Sequence, residues 1–358
     1  MKELKVLELF SGYGGATYGL TKANIPHKVI GYSDIEKCAN YIYELNHGKE
    51  VLQLNDITKV NVNDLEDFDL LTGGFPCQSF SLAGKREGFK AERKGQLFFE
   101  IIRIAEKKRP RYMLLENVQG LLSHDNGKTM QVILQELKEI GYIIKWKLMF
   151  SKDLGTPQNR PRVWFACFRD KVDSDKFMFP EKEKLSITVK DLLDDEVDDK
   201  YYLNENQLKK IEEGLKKENY SFYSPPEDLN KPIKTLKAHM GNDNSDVPYF
   251  QVADYRYDEG LRIRKDEVCP TLKARNREKD LSGSPIIYNT HSNYWRRLTP
   301  TECFRLQGFF KDEINFGNLS DSKLYFLAGN GWDINVASKI FIQMFKGNQN
   351  KQKSLFNY

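Results

Sequence analysis

The sequence predicts a doubly wound α/β fold on a mostly parallel sheet, joined to a smaller, loop-rich second domain. Three observations predict it. Short β-rich runs alternate with amphipathic helical patterns through the first 170 residues, the pattern of βαβ units. Those runs are almost continuously apolar, as in strands covered on both faces. After about residue 170 the regularity gives way to Pro, Asn and Gly punctuation and weak strand patterns.

Each element follows in order. Leu4–Phe10 is the first strand and runs into Ser11-Gly12-Tyr13-Gly14-Gly15, then a helical pattern. Lys28–Tyr32 is the second strand, and a short third one ends near Asn55-Asp56-Ile57. Asp69–Phe75, Tyr112–Val118, Ile143–Phe150 and Val163–Phe168 are further strands, with helical periodicity over Gln96–Lys107 and Lys128–Ile140 between them. Residues Asp191–Asp199 carry six acids in nine positions, the composition of a solvated loop or face. Asp333–Phe345 reads as a last helix, and Lys346–Tyr358 as a polar, frayed tail.

Composition narrows the class. The chain has 358 residues, 40% hydrophobic and 30% charged, as in ordinary globular proteins. Fifty-five basic against 51 acidic residues give a net charge of +4, too little for a polycation that coats nucleic acid. The charge is uneven, however. Lys85–Arg111 holds ten basic and four acidic residues, whereas Lys190–Lys200 holds two basic and six acidic ones. The basic segment follows Cys77, and the acidic one is expected to face away from any polyanion. Five cysteines lie more than thirty residues apart, so no metal-binding pair exists and no metal is expected. An odd, sparse set points to free thiols in a reducing compartment, the cytoplasm. No run reaches membrane-spanning length, and no membrane partner is expected.

The glycine loop lies between a strand and a helix, where backbone N–H groups approach a ligand closely. Asp34 stands 19 positions after Gly15, at the end of the second strand. Doubly wound folds place there an acid that binds ribose hydroxyls. Asp56 ends the third strand and suits an adenine amino group. An adenosine-containing cofactor follows, either a dinucleotide or S-adenosylmethionine. The G-x-G-x-x-G spacing of dinucleotide sites is absent. Cys77, in Pro76-Cys77-Gln78-Ser79-Phe80-Ser81, sits just past a strand's C-terminal end, where open sheets place their sites. Cys38, Cys167 and Cys303 read instead as structural thiols. Glu116, also at a strand end, is a candidate acid. Arg160 and Arg162 project to one side of an extended chain and suit phosphate or base contacts.

Taken together, the ordered motifs resemble those of bacterial and phage DNA (cytosine-5) methyltransferases. Phe10–Gly15 resembles the cofactor loop, Gly74–Ser81 the nucleophile motif, Glu116-Asn117-Val118 the acid motif and Gln158–Arg162 the Q-x-R-x-R motif. Arg297–Pro300 with Glu302-Cys303 and Arg305–Phe309 resembles the motif closing the recognition region, and Gly329-Asn330-Gly331 the last motif. The resemblance implies the S-adenosylmethionine-dependent methyltransferase fold. It implies a catalytic domain at 1–185 completed by 322–346, a target-recognition domain and hinge at 186–321, and a tail at 347–358. It implies S-adenosyl-L-methionine as cofactor, with S-adenosyl-L-homocysteine as product, held by Phe10, Ser11, Gly12, Gly14, Gly15, Asp34, Ile35, Asp56, Ile57, Phe75, Leu97 and Asn330. The implied catalytic set is Cys77, Glu116, Arg160 and Arg162, acting on a flipped cytosine in double-stranded DNA. Ser81, Lys85, Arg86, Thr271, Leu272 and Arg275 are the implied DNA contacts. Of two Thr-Leu pairs, Thr271-Leu272 suits the family context better, since it follows Cys269-Pro270. A monomer is expected, with a cognate restriction endonuclease as a partner that forms no stable complex. Many relatives have serine where this chain has Gly331. Cys77, Glu116 and Arg162 argue against a non-catalytic DNA-binding relative. The long variable region and Pro76–Phe80 favour DNA over tRNA as the substrate.

Overall fold

The computed structural model describes residues 2–76, 97–205, 250–256, 260–263, 269–270, 272, 285–289, 294–311 and 313–353. Seven strands form the main sheet: β1 (Leu4–Leu9), β2 (His27–Ser33), β3 (Leu52–Gln53), β4 (Leu70–Gly74), β5 (Tyr112–Val118), β6 (Ile143–Phe150) and β8 (Pro161–Phe168). Their order is β3-β2-β1-β4-β5-β8-β6. Pairings from β3 to β5 are parallel; β8 is antiparallel to both β5 and β6. The order reverses between β1 and β4, so a crevice opens at the C-terminal ends of those strands.

The alternation of side chains along the strands separates two cores. Leu7, Leu9, Met113, Leu115, Val163 and Phe165 point to one face, packed against helices α3 (Leu97–Lys108) and α4 (Lys128–Glu139). Val6, Leu70, Tyr112, Leu114, Trp164 and Ala166 point to the other, beneath α1 (Gly15–Lys22) and α8 (Ile334–Lys353). Gly19 of α1 faces Ala337 of α8, where an added Cβ would come within 2.9 Å of the alanine Cβ. That absence of a side chain lets the C-terminal helix lie directly on the first one. Helix α8 continues to Lys353, so the frayed tail expected from Lys346 is instead largely helical. Nothing in Lys346–Lys353 is a proline or β-branched residue that would stop the helix.

A third cluster joins the two halves of the chain. Tyr13, Ala39 and Ile42 pack with Val189, Leu192, Cys269, Leu272, Ile287, Leu298, Phe304 and Phe309. A second sheet carries β9 (Phe250–Arg256), β10 (Gly260–Ile263), β12 (Pro285–Asn289) and β13 (Tyr294–Arg297) in the order β10-β9-β12-β13. Two-residue strands β7 (Gln158–Asn159) and β11 (Cys269–Pro270) pair in parallel, linking this region to the sequence that precedes β8. The acidic run is not wholly a solvated loop. Asp194 turns inward, and its Oδ1 lies 2.7 Å from Arg305 Nη1. Among the described residues no helix is long and apolar enough to cross a membrane.

One buried ion pair anchors the junction. Arg296 Nη1 and Nη2 donate to Glu302 Oε2 and Oε1 at 2.7 and 2.6 Å, with both side chains almost completely enclosed. Glu302 also accepts from Thr299 N at 2.7 Å and Asp194 N at 2.9 Å, and Thr299 caps the short helix α6 (Pro300–Arg305) in a capping box. Replacing Glu302 by alanine leaves a buried guanidinium without its counter-ion. The expected loss is about 3–5 kcal/mol of stability in a urea titration; a loss within experimental error would show that the pair holds nothing together.

Candidate active site

The crevice holds a cavity of about 370 Å³. Its lower wall is the turn between β1 and α1. Phe10 and Gly12 take left-handed backbone angles, φ 53° and 55°, which swing the chain sharply out of the strand. Asp34 fixes the turn from β2, accepting from Gly12 N at 2.8 Å and from Glu36 N at 2.9 Å. Burial pushes its carboxyl up from the usual carboxylate range. Ile35 beside it is 76% exposed, an apolar face left open over the cavity. Asp56 ends the turn after β3, its Oδ1 accepting from Thr58 N and Oγ1 at 3.0 and 2.7 Å, which holds its carboxyl below the usual range. Ile57, Phe75, Leu97 and Asn330 complete the lining.

The sequence-predicted cofactor residues therefore converge, with one exception. Gly14 caps α1 at φ 89° and does not reach the cavity; an added Cβ would lie 2.7 Å from His47 Cδ2. Helix entry and the packing of His47 require its glycine. Ser11 Oγ and Thr72 Oγ1 are buried in the cavity wall and find no hydrogen-bond partner among the described residues. Carboxylates at two strand ends, open apolar side chains between them and orphaned hydroxyls fit a polar nucleoside with an amino-acid tail.

The far end of the cavity is acidic and basic at once. On antiparallel β5 and β8, Val118 lies opposite Arg162 and Glu116 opposite Trp164. Glu116 and Arg162 are thus diagonal neighbours on one face, and Arg162 Nε lies 2.7 Å from Glu116 Oε1. Burial pushes the Glu116 carboxyl up, against the pull of Arg162 and Arg160. Gly74 of β4 pairs with Glu116, and a Cβ there would lie 3.4 Å from Glu116 Oε2. Asn117 Nδ2 donates to Phe75 O at 2.9 Å, fixing the chain immediately before Cys77. Cys77 itself lies outside the described residues, as do Ser81, Lys85, Arg86, Thr271 and Arg275.

Two predicted site residues sit elsewhere than expected. Arg160 is 1% exposed and does not line the cavity. Its guanidinium donates to Gly329 O at 3.1 Å through both Nη atoms and to Gly331 O at 2.6 Å through Nη2. It holds the segment that closes the cavity. Leu272 is 4% exposed, buried with Cys269, Ile287 and Leu298. Its side chain is part of the third core cluster.

Sequence reasoning also missed residues. Trp332 lines the cavity between the glycine loop and Glu116. Added Cβ atoms would lie 2.9 Å from its Cβ at Gly15 and 2.8 Å from its Nε1 at Gly74. Those two glycines were its available signal. Glu8 of β1 is likewise buried at the cavity wall, accepting from Ala16 N at 3.0 Å, Thr17 Oγ1 at 2.5 Å and Tyr43 Oη at 3.2 Å. An acid at the N-terminus of α1 favours the helix dipole.

Burial pushes the Glu8 carboxyl from 4.5 up to about 7. Between those values the folded chain keeps a proton that the unfolded chain has lost. Stability should therefore fall as pH rises from about 4.5 to 7, by roughly 3 kcal/mol, and level off above. Glu8→Gln removes this contribution, so its unfolding free energy should vary less across that window. Equal slopes in denaturant titrations of the two proteins would rule Glu8 out as the cause.

The comparisons with known proteins agree with this geometry. The sequence profile described as C-5 cytosine-specific DNA methylase matches residues 4–346. The chain is 35% identical to the type II methyltransferase M.Bsp6I of Bacillus sp. (strain RFL6), over 96% of this chain and 99% of that protein. It is 30% identical to the orphan methyltransferase M.SPRI of Bacillus phage SPR, over 98% of this chain and 100% of that one. The S. pombe Dnmt2 methyltransferase superposes with a TM-score of 0.67 at 22% identity, covering 97% of this chain and 99% of its own. That likeness shows the same methyltransferase fold. The chain belongs to the C-5 cytosine-specific DNA methylase family and is a DNA (cytosine-5)-methyltransferase.

Proposed function

We propose that this chain transfers a methyl group from S-adenosylmethionine to C5 of a cytosine flipped out of a specific double-stranded DNA sequence, through a covalent Cys77–C6 adduct. It acts as a cytoplasmic monomer, as a restriction-modification or phage methylase whose cognate endonuclease forms no stable complex with it. The observation that carries the reading is one continuous cavity, with Asp34, Ile35 and Asp56 at one end and the Glu116–Arg162 pair at the other. The first end suits the cofactor's adenosine, with Phe10–Gly12 and Asn330 around the remainder. When bound there, the cofactor supplies an electrophilic methyl group.

The protein's residues account for the rest. Cytosine C5 is a poor nucleophile until a thiolate adds at C6 and makes C5 an enamine carbon. Cys77, directly after the chain held by Asn117, is the attacking group. Electron density moving onto N3 needs a proton or hydrogen-bond donor there. Glu116, its carboxyl raised by burial, provides one. Arg162 holds Glu116 in place at 2.7 Å and offers N–H groups to the base carbonyl. After methylation, loss of the C5 proton and of the thiolate restores the aromatic ring. Splitting the reaction in this way is covalent catalysis. Flipping the base costs about a few kcal/mol of stacking and pairing, repaid by contacts in this pocket.

DNA bearing 5-fluorocytosine at the target tests the mechanism, because fluorine cannot leave as a proton does. With S-adenosylmethionine present, a denaturing gel should show a DNA-shifted protein band. Cys77→Ser should lose both the band and methyl transfer, while retaining DNA and S-adenosylhomocysteine binding. Undiminished methylation by that variant would overturn the covalent route.

A further inference from the structure

Phe10 and Tyr13 are the large side chains of the glycine loop; Phe10 lines the cavity and Tyr13 does not. Tyr13 is fully buried, with ring centroids 5.3 Å from Phe304 and 5.4 Å from Phe309. Its hydroxyl donates to Trp332 O, and its own carbonyl accepts from His47 Nε2 at 3.1 Å. The loop on one wall is thus tied to the segment Gly329–Trp332 on the opposite wall.

Gly331 lies in that segment at φ −71° and ψ 167°, a conformation open to any residue. Its glycine is not required by the backbone. It is required by space: an added Cβ would enter the Tyr13 ring, 2.6 Å from the hydroxyl oxygen. A serine at this position therefore conflicts with a tyrosine at position 13. Arg160 holds the carbonyls of Gly329 and Gly331 from one side, and Tyr13 holds that of Trp332 from the other. Asn330, between them, faces the cavity.

We propose that Tyr13 and Gly331 form a matched pair that sets the spacing between the glycine loop and the closing segment, making Tyr13 a positioning residue for S-adenosylmethionine. The proposal rests on the cofactor assignment made above. Tyr13 touches no ligand. It acts through the Trp332 carbonyl that it holds and through the neighbouring Asn330, which lines the cavity.

The test is calorimetric binding of S-adenosylhomocysteine to the full chain, with thermal unfolding and DNA binding measured alongside. Gly331→Ser forces a hydroxymethyl group into a filled space and should weaken binding about tenfold, the equivalent of about 1.4 kcal/mol. Adding Tyr13→Leu opens that space, so the double variant should regain most of the loss. Tyr13→Phe keeps the packing and removes only the bond to Trp332 O. It should raise KM for the cofactor while leaving kcat and DNA affinity unchanged, a split that general destabilisation would not give. The proposal is overturned if Gly331→Ser binds like the parent, if the double variant is no better than Gly331→Ser, or if Tyr13→Phe leaves the cofactor KM unchanged. If the parent chain binds no S-adenosylhomocysteine, the cofactor assignment fails first and the pair with it.

Discussion

The buried guanidinium of Arg160 is the interaction on which the rest of the site depends. It brings a positive charge out of water, at a cost of several kcal/mol, and burial lowers its pKa to about 9. Bonds to the carbonyls of Gly329 and Gly331 offset that cost. The carbonyls belong to the C-terminal end of a helix, where backbone acceptors would otherwise be left without partners. The bond network thus satisfies one segment's orphan groups with another's buried charge. It also brings residues 170 positions apart in sequence to one cavity wall.

The short stretch ahead of Arg160 multiplies that effect. Thr156 Oγ1 donates to Asp333 Oδ1 at 3.2 Å, and Asn335 Nδ2 donates to Leu154 O at 2.8 Å. Asp333 in turn accepts from the N–H groups of Asn335 and Val336 at 2.9 and 3.1 Å, capping α8. Gln158 Nε2 donates to Leu306 O at 3.0 Å, and Cys269 N donates to Pro157 O at 3.0 Å. One loop therefore contacts the C-terminal helix, the turn after α6 at Leu306 and the strand β11 at Cys269. Two residues further on, the same chain presents Arg162 to Glu116. The Glu116–Arg162 end of the cavity is thus built on the same scaffold that closes the end holding Asp34 and Asp56.

Much of this was legible from residue order. Near-continuous apolar runs located β1, β2, β4, β5, β6 and β8, because strands covered on both faces bury successive side chains. Asp34, Asp56 and Glu116 were legible because a doubly wound sheet puts its strand ends in one crevice. Arg160 and Arg162 were not separable. Two arginines two residues apart look alike in sequence, yet one reaches Glu116 and the other turns into the protein beneath the last motif. Leu272 is buried in the third cluster together with Cys269, a placement that no local pattern announces.

The sequence by itself determined the fold class, the family and the strand ends that meet in the crevice, because these are written in local periodicity and contiguous motifs. Tertiary structure alone decided what distant residues do to each other. It set Arg160 beneath the closing segment, placed Trp332 on the cavity wall and packed Gly331 against the Tyr13 ring. Those are questions of space and of unpaired polar groups between segments more than 150 residues apart, and no local pattern encodes them.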